Sequence, residues 1–266
     1  MESNASENSL QEEVISYFKD IDFKYWEKRL LYIVSRFNTL KTNKAKSIYL
    51  VDCYSVYLQL LEIFFINILS LSVKEKTFFH FLFVGNSELR KYINDNFLNP
   101  EFQKWLMENY VFAFKDKSII REYEKRYTEH ISIIKECAKD YLADYDFLNA
   151  YKHGFRAKAF FGDTKISIGG YKIIQGDSEL TYYSQRGNSI FQCSITFNHK
   201  RILIKSHFIL EMLKNAQKVY LSQGRKITLN HHYLTNIEDW NKSFGTARFK
   251  TEILVSNGKI RLDKNI

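Results

Sequence analysis

The sequence predicts an α+β protein: an N-terminal all-helical bundle followed by an antiparallel β-meander with an embedded helix. Three observations predict it. Only Gly85 lies before residue 154, and the other nine glycines lie from Gly154 onward. Glycine is disfavoured inside helices and marks turns and bulges. Apolar residues recur at helical spacing up to about residue 158 and alternate with a period of two after it. Charge divides at the same place: residues 1–160 hold 23 Lys+Arg against 22 Asp+Glu, and residues 161–266 hold 16 against 8. The expected domains are therefore a helical bundle over 1–160 and a β-rich domain over 161–266 with one helix at about 206–222.

The helices follow in order. Residues 9–19 place Val14, Tyr17 and Phe18 on one stripe, and residues 22–41 do the same with Trp26, Leu30, Ile33 and Phe37. Residues 45–72 read as one long apolar helix. Asn86 or Ser87 is positioned to cap a helix over about 88–97, and Pro100 suits the first turn of the next, near 100–109. An amphipathic helix is expected over 117–143, with Ile120, Tyr123, Tyr127, Ile131, Ile134 and Tyr141 inward, and a further one over about 145–158.

Strands follow. Lys165–Ile168, Tyr171–Gln175, Leu180–Gln185 and Ile190–Phe197 alternate, punctuated by Gly169-Gly170, Gln175-Gly176-Asp177 and Arg186-Gly187-Asn188 as turns. Ser206 is the expected cap of the embedded helix. Strand-like runs at Ala247–Val255 and Lys259–Leu262, joined by Asn257-Gly258, end the chain.

Composition excludes several classes. With 45% apolar and 16% aromatic residues the chain can bury a core, so it is not a disordered polymer. Cys53, Cys137 and Cys193 lie far apart with no CxxC pair. That excludes a disulfide scaffold and a Cys-rich zinc ribbon, and it suits a reducing cytosol. The acidic start MESNASENSLQEE has no basic or apolar leader pattern, so no signal peptide is expected. Ser47–Val73 is long enough to span a bilayer, but Asp52, Gln59, Glu62 and Asn67 interrupt it. A mid-span charge costs about 2.5–3.5 kcal/mol on insertion scales, so a buried central helix and a cytoplasmic protein without a membrane partner are expected. The net charge is +9, nearly all of it in the β-rich half, which is where a polyanion would be drawn.

The sharpest chemical feature is Asn149-Ala-Tyr-Lys152-His153-Gly-Phe-Arg156. On a helix, Asn149, His153 and Arg156 share a stripe at i, i+4 and i+7, flanked by Lys152. Imidazole moves protons near neutral pH, and guanidinium and ammonium groups hold phosphate and offset developing negative charge. This set suits binding or cleavage of a phosphodiester without a metal. Asp52, Ser55, Gln59 and Glu62 form a second polar stripe on the apolar helix. Buried carboxylates need partners, and Lys152, His153 and Arg156 would supply them, with Asp52 and Glu62 orienting the cluster. The same residues equally describe a structural network tying helix to helix. No HExxH, P-loop, GxGxxG or GxSxG occurs. His231-His232 is poor metal geometry, since adjacent strand residues face opposite ways. No metal or cofactor is expected.

The helical half, with its His/Arg cluster on a late helix, resembles the HEPN superfamily over about residues 10–160. These are small helical bundles prominent in bacterial toxin and anti-phage systems. The family motif is Arg, four to six residues, then His. Here His153 precedes Arg156 with two residues between, and Arg126 precedes His130 with three. The resemblance implies an RNA-binding or metal-independent RNA-cleaving protein of a bacterial defence or toxin system, a homo-oligomer, with an antitoxin-type protein as a partner. In that reading His153 acts as general base or acid, and Arg156 and Lys152 stabilise phosphate, beside Asn149. The alternative is a non-enzymatic interaction module in which the polar cluster is structural.

Overall fold

The computed structural model describes residues 12, 16, 19–72, 78–106, 117–152, 157–168, 171–221 and 248–255. Among these, six helices precede a four-stranded sheet and a seventh interrupts it: α1 (Phe23–Thr39), α2 (Asn43–Ser72), α3 (Phe78–Phe83), α4 (Asn86–Phe97), α5 (Pro100–Leu106), α6 (Lys117–Lys152), β1 (Ala157–Ile168), β2 (Tyr171–Arg186), β3 (Ser189–Phe197), α7 (His199–Leu221) and β4 (Arg248–Leu254). The sheet is antiparallel throughout, in the order β1-β2-β3-β4. The α+β class read from the sequence is correct.

Several boundaries differ for physical reasons. The helices expected over 117–143 and 145–158 are one helix to Lys152, because no Gly or Pro interrupts Ala143-Asp144-Tyr145. β1 begins at Ala157 rather than Lys165. Its first residues, AKAFF, carry no strand alternation and are held as strand by pairing Ala157 with Tyr182 and Ala159 with Leu180. β2 runs unbroken through the expected turn at Gly176, which pairs with Thr164. The embedded helix starts seven residues early. Asn198, not Ser206, caps it, its Oδ1 accepting the Lys200 and Arg201 N–H groups at 3.0 and 3.3 Å. Ser206 lies within the helix and donates to the Ile202 carbonyl. The α3 segment was not expected. Lys259–Leu262, the Gly169-Gly170 turn and most of 9–19 lie outside the described residues.

Local caps explain other boundaries. Asp22 Oδ1 accepts the Lys24 N–H at 2.9 Å before α1, and Thr42 Oγ1 accepts that of Ala45 at 3.2 Å at the start of α2. Asn99 Oδ1 accepts the Glu101 N–H at 2.9 Å, with Pro100 in the first turn as expected. Such caps are worth about 0.5–2 kcal/mol each. The β2–β3 hairpin turns on Gly187-Asn188, where Gly187 has φ of 59°, the left-handed conformation that a two-residue hairpin needs.

The chain forms two compact units. The first comprises Met1–Glu27, Gln59–Leu142 and His207–Asn236. Its core is aromatic: Phe65 stands edge-on to Phe97 and Tyr141 at 4.7 and 5.5 Å between centroids. His130 stacks on Phe208, the packed histidine of an ordinary core. Arg90 donates to the Leu142 carbonyl at 3.0 Å, and Lys214 pairs with Glu211 and Glu27.

The second unit comprises Lys28–Leu58, Ala143–Ser206 and Ile237–Ile266. Here one face of the sheet packs on helix. Tyr54 of α2 meets Phe147 of α6 and Phe197 of β3 at 5.4 and 4.9 Å. Leu180, Tyr182, Cys193, Ile195 and Phe197 are buried on that face, each aromatic pair adding about 0.5–1.5 kcal/mol beyond its area. His199 anchors the start of α7 to β2. Asp177 accepts its backbone N–H at 2.9 Å and lies 2.6 Å from its Nδ1, while Phe37 and Phe161 flank the imidazole. Burial acts to raise the Asp177 pKa, but the His199 hydrogen bonds outweigh it and hold the carboxyl below its usual range.

α2 is long and apolar enough to cross a membrane, and 78% of its most apolar window is buried within the protein, as in a core helix.

Candidate functional site

The residues named from the sequence fall as follows. Asn149 is exposed on α6, with the Tyr145 hydroxyl 3.4 Å from its Oδ1. Lys152 is the last residue of α6. His153 and Arg156 lie outside the described residues. Asp52 is half-buried on α2 and accepts a hydrogen bond from the Tyr151 hydroxyl at 3.1 Å. Of the α2 stripe, Asp52 meets the end of α6, and its partner there is Tyr151, which is not one of the residues expected to hold it. Burial first, then the Asp52 charge, push the Tyr151 phenol upward, against weaker opposing effects of Arg29 and Ser55. Tyr151 stays protonated and donating. Glu62, half-buried on α2, belongs to the first unit.

A second charged network lies on the inner face of the sheet. Asp144 is fully buried and accepts from the Tyr54 hydroxyl. Lys250 Nζ sits 2.8 Å from Glu252 and 4.0 Å from Asp144, and donates to the Ala143 carbonyl at 2.6 Å. Arg186 grips Glu252 with two hydrogen bonds of 2.9 and 2.7 Å and approaches Asp146 at 3.5 Å. Ser184 also donates to Asp146. Burial would raise the Glu252 pKa, yet Arg186 and Lys250 bring it down to about 2. Burial raises the Tyr182 and Cys193 pKa values, Cys193 to about 11, so both stay neutral. Each of the two cations is held by carboxylates within 4.0 Å, which is the pattern of a structural network. Alternation in Arg248–Leu254 puts Lys250 and Glu252 on one strand face, and this was the available signal for it. Among the described residues no His/Cys/Asp/Glu group of three or more is arranged to hold a metal.

The outward side of α1 and α2 differs. Segment Lys28–Leu58 carries six basic residues and one acidic. Tyr32 is 49% exposed. It packs edge-on to Tyr49 at 6.0 Å, and the Arg36 guanidinium lies 4.8 Å over the Tyr32 ring. A hydrogen bond from Tyr49, then one from Arg36, lower the Tyr32 pKa; the shared proton raises that of Tyr49. Beside this platform a groove of about 410 Å³ opens between α2 and β1. Asn43, Lys44, Ser47 and Ile48 face Phe160 and Phe161 across it. Ile48 and Phe160 are 68% and 54% exposed. Exposed aromatics among cations are a pairing that nucleic acids use. Net charge alone does not mark this face, because nearly all of the surplus lies in the β-rich half.

No protein family, no curated protein and no solved structure significantly matches the chain.

Proposed function

We propose that this is a cytoplasmic RNA-binding protein, HEPN-like in its helical half, serving a bacterial defence or toxin system. What supports binding is one observation. Segment Lys28–Leu58 of the second unit carries six cations against one carboxylate, with Arg36 over exposed Tyr32 and Lys44 lining the α2/β1 groove. Clustered Lys and Arg supply the sequence-independent part of nucleic-acid affinity, and aromatic faces stack on unpaired bases. Cleavage is the stronger form of the reading and rests on His153, Arg156 and Lys152, with proton transfer worth about 10²–10⁴-fold. Homo-oligomer formation and an antitoxin-type partner belong to the same reading.

A second reading, an interaction module with a structural polar cluster, is favoured by Asp52, which is engaged by Tyr151. One experiment separates the readings. Labelled single-stranded RNA is titrated with the full chain in EDTA, and the products are run on a gel. Binding that is lost on Lys44→Glu with Lys46→Glu supports the first reading. Cleavage lost on His153→Ala adds catalysis. Absence of any binding at low salt leaves the interaction module.

A further inference from the structure

The α2/β1 groove has features that backbone-tracking alone does not require. Its walls are apolar, formed by Ile48, Phe160 and Phe161, yet Lys44 lines it and Lys46 lies 5.2 Å over the Phe161 ring. Its volume, about 410 Å³, is within the range of clefts that hold small planar ligands, about 300–1,000 Å³. Its floor is fixed by hydrogen bonds: the Phe161 N–H donates to Ser47 Oγ at 2.9 Å, and Ser47 Oγ donates to the Asn43 carbonyl at 2.9 Å. Gly162 shapes the rim. A Cβ there would lie 3.1 Å from the Phe160 ring and 3.4 Å from Asn43 Nδ2, so the missing side chain is what lets ring and amide sit at the opening. Exposed Phe160 is thus positioned by its neighbours.

An aliphatic occupant would gain nothing from the flanking cations. An anionic strand with a flat apolar unit on each residue uses both the walls and the charges. We propose that the groove holds one unstacked base of single-stranded RNA, stacked on Phe160, with Lys44 and Lys46 on the adjacent phosphates. On α2, Lys44, Ser47, Ile48 and Val51 form the i, i+3, i+4, i+7 stripe facing the groove, and Tyr49 lies about 100° further round than Ile48. A strand leaving the groove therefore passes over Ile48 to the Tyr32–Arg36–Tyr49 platform. A duplex keeps its bases stacked inside and cannot fill the groove. The inference rests on the RNA-binding reading and narrows its substrate class to single strands.

The test uses the full chain and fluorescence anisotropy with three probes: a short oligouridylate, its duplex with oligoadenylate, and an oligouridylate containing abasic sites. The single strand should bind more tightly than the duplex or the abasic strand. Phe160→Ala should weaken single-strand binding about fivefold or more, as removal of a stacking aromatic does, and Phe160→Trp should retain it; circular dichroism checks the fold of both. If Phe160→Ala binds like wild type, or duplex and single strand bind equally, while Lys44→Glu still weakens binding, the base-holding groove is wrong and RNA binding stands. If none of the probes binds, both fall. If Phe160→Ala instead converts a dimer to a monomer in sedimentation with RNA affinity unchanged, the groove is a contact between copies of the chain and the proposal is overturned.

Discussion

The Tyr54 hydroxyl donates to the carboxylate of Asp144, 90 residues further along the chain. Both side chains are fully buried. The bond ties α2 to α6 where Tyr54 also meets Phe147 and Phe197. Tyr54→Phe keeps the ring packing and removes one donor from a buried carboxylate. The expected loss is about 1–3 kcal/mol. Urea unfolding should show a lower midpoint with an unchanged slope, since neither state changes its exposed area.

Acid should weaken the second unit through Glu252. Its folded pKa, about 2, lies below the ordinary value of 4.5. The Arg186 and Lys250 interactions therefore contribute fully above pH about 4.5 and fade as pH falls toward 2. Asp177, also held low by His199, adds in the same direction. Melting temperatures from pH 7 to 3 should drop below pH about 4.5 in the wild type. Glu252→Gln, which has no such carboxyl to protonate, should start lower and fall less over that window.

Salt should control RNA affinity. Each phosphate contact on a single strand contributes about −0.7 to the slope of log affinity against log salt. Lys44→Gln and Lys46→Gln should each lower the magnitude of that slope by about 0.7, measured by anisotropy titrations across a salt series. A slope unchanged in both variants would remove these lysines from the interface.

Gly162→Ala should act on fold and binding together. Gly162 has φ of 151°, which side-chain-bearing residues rarely adopt, and such backbone strain costs about 1–3 kcal/mol. The new methyl group would also press on Phe160 and Asn43. Thermal melting should show the destabilisation. RNA affinity measured well below the melting temperature should fall as well, although residue 162 itself carries no charge or ring.

Much of this architecture is written locally. The glycine distribution and the switch from helical to alternating spacing identify the α+β class, and Pro100 and Gly187-Asn188 mark real boundaries. What was not legible depends on partners distant in sequence. The first residues of β1 become strand by pairing with β2, and Ser206 looks like a cap until Asn198 is seen to do that work. The candidate site divides the same way. Asp52 stands out as a carboxylate on an oily helix, but its contact with Tyr151 spans 99 residues. Arg186, Lys250 and Glu252 look like ordinary surface charges until strand register gathers them. The charge surplus of the β-rich half drew attention from Lys28–Leu58, whose cations matter because of the tyrosines beside them.

Ser47 has one more effect. Among the described residues β1 is an outer strand, and an outer strand offers its amides to any extended chain that drifts against it. By accepting the Phe161 N–H, the Ser47 hydroxyl occupies one rung of that ladder beside the bulge between Phe161 and Thr164. A neighbouring molecule that tried to add a strand there would have to displace a hydroxyl already tethered to its own helix. The same small side chain that sets the groove floor thus leaves one fewer open amide on this outer strand for another chain to pair with.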